Sequence, residues 1–313
     1  MKNQIAIQMD NIETIDYEFD TSFLIGYEAQ NRNYEIFYYN PKDLLIENGN
    51  IQATGYYLKL NLDQNNYFKY TSNKTKVELK NFSYIFLRQD PPFDMAYITA
   101  THLLEMLPAK TLVVNNPAEV RNAPEKLLVT RFADLMPPTV ISRDLNVIQA
   151  FRTKYKDIII KPLYGNGGKQ IFHIRENDPN FSSLLEMFFE YSNEPLIIQR
   201  YLPEVRNGDC RVIMIDGEIA GAVNRIPPEG QARSNLHVGG KAEKKILNNR
   251  ELEICEALSE ELKKKELILV GLDIIGNYLT EINVTSPTGV QEISRFDDSN
   301  ISSMFWDAVE SYI

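Results

Sequence analysis

The amino-acid sequence predicts an N-terminal α/β unit on a parallel sheet, followed by an α+β region, and three observations lead there. The chain opens with an apolar run, a helix-spaced segment and a second apolar run, the β-α-β order of a parallel sheet. Further on, pairs of apolar runs meet at Asp216-Gly217 and Gly276-Asn277, turn dipeptides of antiparallel hairpins. Between these regions, near residue 120, the character of the chain changes, and Pro124 and Pro137-Pro138 punctuate it. A chain of 313 residues suggests two domains, or three lobes sharing a cleft.

In order, Gln4–Met9 reads as a buried strand and Thr21–Asn31 as a helix, with Asp20 or Thr21 able to cap it. Glu35–Tyr39 returns as a strand, and the polar, Tyr- and Asn-rich stretch 46–80 resists assignment. Tyr84–Leu87 is a strand that ends in Arg88-Gln89-Asp90-Pro91-Pro92-Phe93-Asp94, where two prolines hold the backbone extended. Met95–Leu107 reads as a helix and Thr111–Asn115 as a strand. Beyond the change of character come strands at Ile158–Lys161 and Gln170–Ile174 around a Gly-rich loop, a helix at Phe181–Tyr191, and a strand at Leu196–Arg200. Two hairpins follow, Arg211–Ile215 with Glu218–Val223 and Leu267–Ile275 with Leu279–Val284. Between them Glu251–Lys265 is an amphipathic helix with Leu252, Cys255, Leu258 and Leu262 on one face, and Ile301–Ile313 closes the chain as a helix.

Charge excludes whole classes of function. With 33 Lys+Arg against 43 Asp+Glu the net charge is -10, which repels nucleic acid and anionic membranes, and the basic residues are dispersed. The densest basic run, Lys263-Lys264-Lys265, has Glu260, Glu261 and Glu266 around it and reads as a solvated helix face. Cys210 and Cys255 match no zinc or redox spacing and read as buried thiols in a reducing compartment. The three histidines are scattered. No apolar stretch reaches membrane-spanning length and no signal-peptide core follows Met1, so the cytoplasm is the expected location.

The chemistry concentrates in three places. Lys161-Pro162-Leu163-Tyr164-Gly165-Asn166-Gly167-Gly168-Lys169 lets backbone N–H groups approach a phosphate, with Lys161 at the end of a strand as a point charge. It has neither Walker A spacing nor the helix that follows a Rossmann fingerprint, and alone such a loop is more often a mobile hairpin. In the last hairpin Glu281 and Asn283 share a face, and Asp273 lies on the partner strand. These residues leave two readings level: hard oxygen ligands for Mg²⁺, or a half-exposed strand with a polar face. Arg211, Arg225 and Arg233 add a concentration of guanidiniums suited to an anionic substrate. Together the parts describe a reaction in which ATP phosphorylates a carboxylate and an amine displaces the phosphate, with no Ser, Cys or His nucleophile.

Several segments resemble the bacterial glutathione synthetase family. They are Arg88–Asp94, Asn122–Lys126, Lys161-Pro162-Leu163 with Gly165 and Gly167-Gly168, Arg225-Ile226-Pro227, Arg233 with Asn235-Leu236 and Gly239-Gly240, Val270–Gly276, and Thr280–Thr288. The resemblance implies an α/β domain over residues 1–121 and a two-lobed ATP-grasp domain over 122–313, the lid lobe to about 200 and the catalytic lobe beyond. It implies that γ-glutamylcysteine, glycine and ATP give glutathione, ADP and phosphate, with Mg²⁺, or Mn²⁺ in its place. By position it implies Lys126, Lys161, Gly165, Gly167 and Gly168 at the ATP phosphates, Gln199, Tyr201 and Leu202 at adenine, and Asp209 at the ribose. Asp273, Glu281 and Asn283 would hold the metal, and Arg211 would stabilise the acyl phosphate. Arg88, Arg225, Arg233, Asn235, Ser286, Thr288 and Glu292 would surround the peptide. It further implies a homo-oligomer, commonly a tetramer. Tyr164 stands where the family often has Asp, Gln231 where it often has Glu, and His237 where it has a small residue. Another ATP-grasp carboxylate–amine ligase, such as a glutamate ligase acting on a peptide or protein end, is the competing reading.

The metal reading makes a demand on register. A two-residue turn at Gly276-Asn277, with glycine first as type II′ prefers, pairs Ile275 with Tyr278 and, carried through, Asp273 with Thr280. Glu281 would then point away from Asp273. A three-residue connection or an equivalent bulge puts Asp273 opposite Glu281 and Gly271 opposite Asn283, with Leu272, Ile274, Ile282 and Val284 together on the apolar face and Thr280 its only polar member. Because a one-residue slip exchanges the faces, burial favours this second register.

Overall fold

The computed structural model describes residues 3–63, 66–165, 167–228 and 240–313. The first unit holds β1 (Gln4–Gln8), α1 (Thr21–Asn31), β2 (Glu35–Tyr39), β3 (Leu44–Glu47), β4 (Asn50–Leu60), β5 (Phe68–Tyr70), β6 (Thr75–Glu78), β7 (Tyr84–Leu87), α2 (Met95–Glu105) and β8 (Leu112–Val114). β2, β1, β7 and β8 run parallel in that order, and their near-continuous apolar sequences follow from burial on both faces. Asp20 caps α1, its carboxylate accepting from Phe23 N at 2.6 Å. The stretch 46–80 is an antiparallel meander in which β4 pairs with β2, β3, β5 and β6. It resisted assignment because half-buried tyrosines and polar residues stand where apolar ones would mark the alternation of β4.

Two short helices, α3 (Pro117–Asn122) and α4 (Glu125–Leu128), lead to a four-stranded antiparallel sheet. Its elements are β9 (Thr139–Ser142), α5 (Leu145–Tyr155), β10 (Ile158–Pro162), β11 (Phe172–Ile174), α6 (Phe181–Tyr191) and β12 (Leu196–Arg200), in sheet order β11-β10-β12-β9. Ile158, Ile160, Leu196 and Ile198 pack one face against Ile148, Phe181, Leu185 and Phe188 of the helices. The other face, with Thr139, Gln199 and Ile159 in one cross-strand row, is left to the cleft. Sequence reasoning passed over α5 because Leu145 and Val147 face solvent and Ile148 is its fully buried residue.

The last unit comprises β13 (Asp209–Ile215), β14 (Glu218–Ile226), β15 (Lys241–Lys244), α7 (Asn249–Lys264), β16 (Leu269–Ile275), β17 (Tyr278–Asn283), α8 (Val290–Asp297) and α9 (Ile301–Glu310). The sheet is antiparallel in the order β15-β14-β13-β16-β17. Val212, Met214, Leu272 and Ile282 pack with α7, which presents Ile254, Cys255, Leu258 and Leu262. Leu252 does not belong to that face: it is exposed, and Ile254 takes its place. Both cysteines are buried thiols. Lys265, expected on a solvated face, is instead mostly buried and reaches Glu119 at 2.5 Å.

The demanded register is present, reached by a bulge. Gly276, at φ 59°, opens a two-residue turn that pairs Ile275 with Tyr278. The register then shifts, so that Asp273 faces Glu281 and Gly271 faces Asn283. Thr280 sits at the irregularity and its hydroxyl donates to the Asp273 carbonyl oxygen at 3.0 Å.

The last helix folds back on the first unit. Trp306 of α9 is fully buried against Tyr34, Tyr84 and Phe86, and its indole donates to Ile25 O at 2.9 Å. Asn115, just after β8, joins the first unit to the last sheet: its amide nitrogen donates to Leu269 O and Val284 O, and its oxygen accepts from Leu269 N. Replacing Asn115 with Ala strands three buried backbone groups, and we expect a loss on the order of 3–5 kcal/mol. A melting temperature within a degree of the parent's would contradict that role.

Candidate active site

Strand alternation assembles the site. Arg211 on β13 pairs with Asp273 on β16, and Asp273 with Glu281 on β17, so a cation and two carboxylates form one row on the sheet face opposite α7. Arg211 grips Asp273 through Nε to Oδ1 at 2.5 Å and Nη2 to Oδ2 at 3.0 Å, the bidentate fork of a guanidinium on a carboxylate. Gly271 makes room for it: a Cβ there would lie 3.1 Å from Arg211 Cδ. Arg225 Nη2 bridges Asp273 Oδ1 at 2.9 Å and Asp209 Oδ2 at 2.6 Å. Glu281 accepts from Lys161 Nζ at 3.0 Å and has Lys126 Nζ at 3.8 Å.

Burial of such charges is tolerated only because they are paired. For Asp273, burial pushes the carboxyl up, but Arg211 and then Arg225 more than offset this and hold it well below the usual range. For Glu281, burial is likewise outweighed by Lys126 and Lys161, so it too stays ionised. Arg225 is held in its charged form despite burial, by Asp209 and Asp273.

The row forms the floor of a cleft of about 250 Å³. Lys126, Lys161, Gly165, Gly167 and Gly168 line one part of it, and Gln199, Tyr201, Leu202 and Asp209 another. Arg211, Asp273, Glu281, Asn283, Ser286 and Thr288 complete the expected residues it brings together. Lys126 Nζ donates to the Gly165 carbonyl, tying the Gly-rich loop to α4. Tyr164 in that loop stacks on Phe93, ring centroids 6.4 Å apart.

Three expected residues stand behind the walls and do not line the cleft. Arg88 is buried, donating to Ser22 Oγ and to Pro287 O, and burial depresses its pKa. Arg225 acts on the wall through Asp209 and Asp273, and Glu292 is buried on α8. Arg233 and Asn235, with Gln231, His237 and Gly239, lie outside the described residues, as does Asn166 of the loop.

Asp273, Glu281 and Asn283 fit a hard divalent cation by donor chemistry. They supply two carboxylates and an amide, and Asn283 turns its nitrogen to Gly271 O and Asp273 Oδ2, leaving its oxygen for a cation. Among the described residues no group of three or more His, Cys, Asp and Glu is placed to hold a metal ion, and one or two carboxylates are the usual protein share of a Mg²⁺ site.

Family models of the prokaryotic glutathione synthetase N-terminal domain and ATP-grasp domain match residues 3–121 and 125–298. The chain belongs to the prokaryotic glutathione synthetase family. A glutathione synthetase from Mesorhizobium japonicum is 52% identical over 310 residues, covering 99% of each protein. One from Vibrio vulnificus is 41% identical over 99% of this chain and 98% of its own. The activity is accordingly ATP-dependent glutathione synthesis, and the glutamate-ligase alternative is not favoured. The fold extends further: a D-cycloserine synthetase superposes with TM-score 0.69 at 13% identity over 99% of this chain and 100% of its own. Among the described residues no helix is long and apolar enough to cross a membrane.

Sequence reasoning missed Glu125 and Thr285, both of which line the cleft. The signal for Glu125 was its place beside Lys126 on one short helix. The Thr285 hydroxyl donates to Glu125 Oε1. Burial, countered by that bond and by Lys126 and reinforced by Glu281, raises the Glu125 carboxyl to about 7. A carboxyl whose folded pKa exceeds its unfolded value gives stability that is present below the unfolded value and lost as pH rises to the folded one. The window here runs from the ordinary value of 4.5 to about 7. Glu125→Gln should therefore gain melting temperature relative to the parent as pH goes from about 4.5 to 8. A difference that stays flat across that range would remove Glu125 from the protein's pH dependence.

Proposed function

We propose that the cleft carries out an acyl-phosphate ligation in which every cation of the floor has a phosphate or carboxylate to receive. The reading rests on one observation: the Arg211–Asp273–Glu281 row, with Lys161 and Lys126 beside it, faces the Gly-rich loop in a single cleft. Lys126, Lys161, Gly165, Gly167 and Gly168 take the ATP phosphates, Gln199, Tyr201 and Leu202 take adenine, and Asp209 takes the ribose. Asp273, Glu281 and Asn283 hold Mg²⁺, which when bound neutralises developing charge on the transferring phosphoryl group. Mn²⁺ in its place is part of the same proposal.

Arg211 orients the γ-glutamylcysteine carboxylate and stabilises the acyl phosphate and the tetrahedral intermediate that follows attack by glycine. Ser286 and Thr288 meet the peptide at the cleft, with Arg88, Arg225 and Glu292 behind them and Arg233 and Asn235 from the segment after β14. We assign the substrate-side domain to residues 1–121, the lid lobe to about 122–200 and the catalytic lobe to about 201–313. A cytoplasmic homo-oligomer, of four subunits in the family pattern, completes the proposal.

Phosphate release with γ-glutamylcysteine and glycine omitted in turn tests the reading. We expect ADP and phosphate in step with glutathione; stoichiometric AMP would sink the acyl-phosphate route. For Arg211→Ala we expect turnover to fall by roughly 10²–10³ with little change in ATP affinity, the loss of one transition-state donor. A variant with near-normal turnover and poor ATP binding would move Arg211 to the nucleotide side.

A further inference from the structure

The row Thr139–Gln199–Ile159 crosses β9, β12 and β10 with side chains on one face. Ile159, Gln199 and Pro137 line the cleft, and Gln199 is 4% exposed. Two hydrogen bonds meet at the Thr139 hydroxyl. Its oxygen lies 2.7 Å from the Pro137 carbonyl oxygen and 3.0 Å from Gln199 Nε2. A hydroxyl has one proton, and a carbonyl can only accept, so the Thr139 proton is committed to Pro137. The hydroxyl can then only accept from Gln199. An amide turned the other way would set Oε1 against the lone pairs of Oγ1. One hydrogen of the nitrogen therefore belongs to Thr139, which fixes the orientation of the amide and leaves Oε1 as the acceptor that Gln199 offers, beside its second N–H.

We infer that Thr139 fixes the Gln199 amide with its acceptor toward the nucleobase, so that the cleft selects a purine carrying a hydrogen-bond donor at its 6-position. The inference rests on the proposed placement of the base against Gln199–Leu202. Adenine offers an amino group at that position and meets the acceptor. Hypoxanthine and guanine offer an oxygen, and two acceptors facing one another in a buried site leave both unpaired. Gln199 could by itself serve either kind of base, since a free amide flips. Thr139 is a positioning residue that removes the choice, and the Pro137 carbonyl in turn fixes Thr139.

The test compares kcat/KM for ATP and for ITP, which differ at the 6-position and in the proton that hypoxanthine carries on N1, at saturating peptide and glycine in the full-length protein. Thr139→Val keeps the branched shape without the hydroxyl, Thr139→Ser keeps the hydroxyl, and Gln199→Leu removes the amide. We expect the parent to favour ATP by about tenfold or more. Thr139→Ser should keep that ratio within about twofold, and Thr139→Val should lower it by about threefold or more. The change should appear as a lower KM for ITP with kcat for ATP little moved, a split that general loosening of the lobe would not give. Thr139→Ala, read by calorimetric binding of ADP against IDP, serves if the valine variant fails to fold. If Thr139→Val and Thr139→Ala keep the parent ratio while Gln199→Leu lowers it, the proposal falls and the base placement stands. If Gln199→Leu also leaves the ratio unchanged, the base does not lie against Gln199 and both fall.

Discussion

The buried carboxylate of Asp273 is the constraint on which the rest of the site depends. Its two oxygens accept three hydrogen bonds, from Arg211 Nε and Nη2 and from Asn283 Nδ2, and Oδ1 also forms an ion pair with Arg225 Nη2 at 2.9 Å. An isolated carboxylate could not remain ionised at that depth, and isolated guanidiniums could not be held there either. The pairing sets where Arg211 and Arg225 point, and Arg225 carries the constraint onward to Asp209. Glu281 repeats the arrangement one strand away with Lys161 and Lys126, and Lys126 extends it to the Gly-rich loop through Gly165 O. Removing Asp273 alone would leave buried guanidinium charge without a counter-ion, a change that typically costs about 3–5 kcal/mol.

That constraint is met by a local irregularity. A regular two-residue hairpin would have turned Glu281 to the α7 side, among Ile254, Cys255 and Leu258, at the cost of burying an unpaired carboxylate. The bulge at Thr280 restores the pairing of Asp273 with Glu281 beyond the turn, and the Thr280 hydroxyl satisfies the carbonyl of Asp273. The same shift gathers Leu272 and Ile282 on the α7 face. The charged floor of the cleft and core packing thus require the same register, which makes it robust: slippage would lose both at once.

Parts of this were legible in the sequence and parts were not, for physical reasons. The last hairpin could be read because burial discriminates between registers and the residues on its two faces differ in kind. Thr21–Asn31 and Phe181–Tyr191 were read to the residue, since their apolar content and flanks agree with a helix. The meander around β4 was hidden because its buried positions include the small Ala53 and Gly55, and its alternation breaks at the half-buried Tyr56 and Tyr57. α5 was hidden because Ile148 is its one fully buried residue, with Phe151 and Tyr155 packed only in part against the same core. Lys161 could be inferred from its strand and loop. Lys126, Gln199 and Asp209 were visible through family resemblance alone, because nothing in their local sequence brings them near the Gly-rich loop. Thr139 was invisible to both, since its role comes from standing across a strand boundary from Gln199.

The saturation of Asp273 bears on how the site is loaded. A carboxylate has about four lone-pair positions, and in Asp273 three are taken by hydrogen bonds from Arg211 and Asn283 while Oδ1 also lies 2.9 Å from Arg225 Nη2. If Asp273, Glu281 and Asn283 were to hold a divalent cation, as proposed, these nitrogen neighbours of Asp273 would have to make room for it. Arg225 is also held by Asp209, whereas the remaining tie of Arg211 is Nη1 to the Thr288 carbonyl oxygen at 3.0 Å. A neutral carbonyl holds a guanidinium less firmly than a carboxylate does. Between the two guanidiniums Arg211 is thus the one held less firmly elsewhere, while the neutral amide of Asn283, at 3.2 Å, is the weakest of the donors. The guanidinium freed from Asp273 would lie at the edge of the cleft beside Thr288, where the proposed reaction places the acyl phosphate. Under the proposed function, holding a cation and keeping Arg211 paired would compete for the single carboxylate of Asp273.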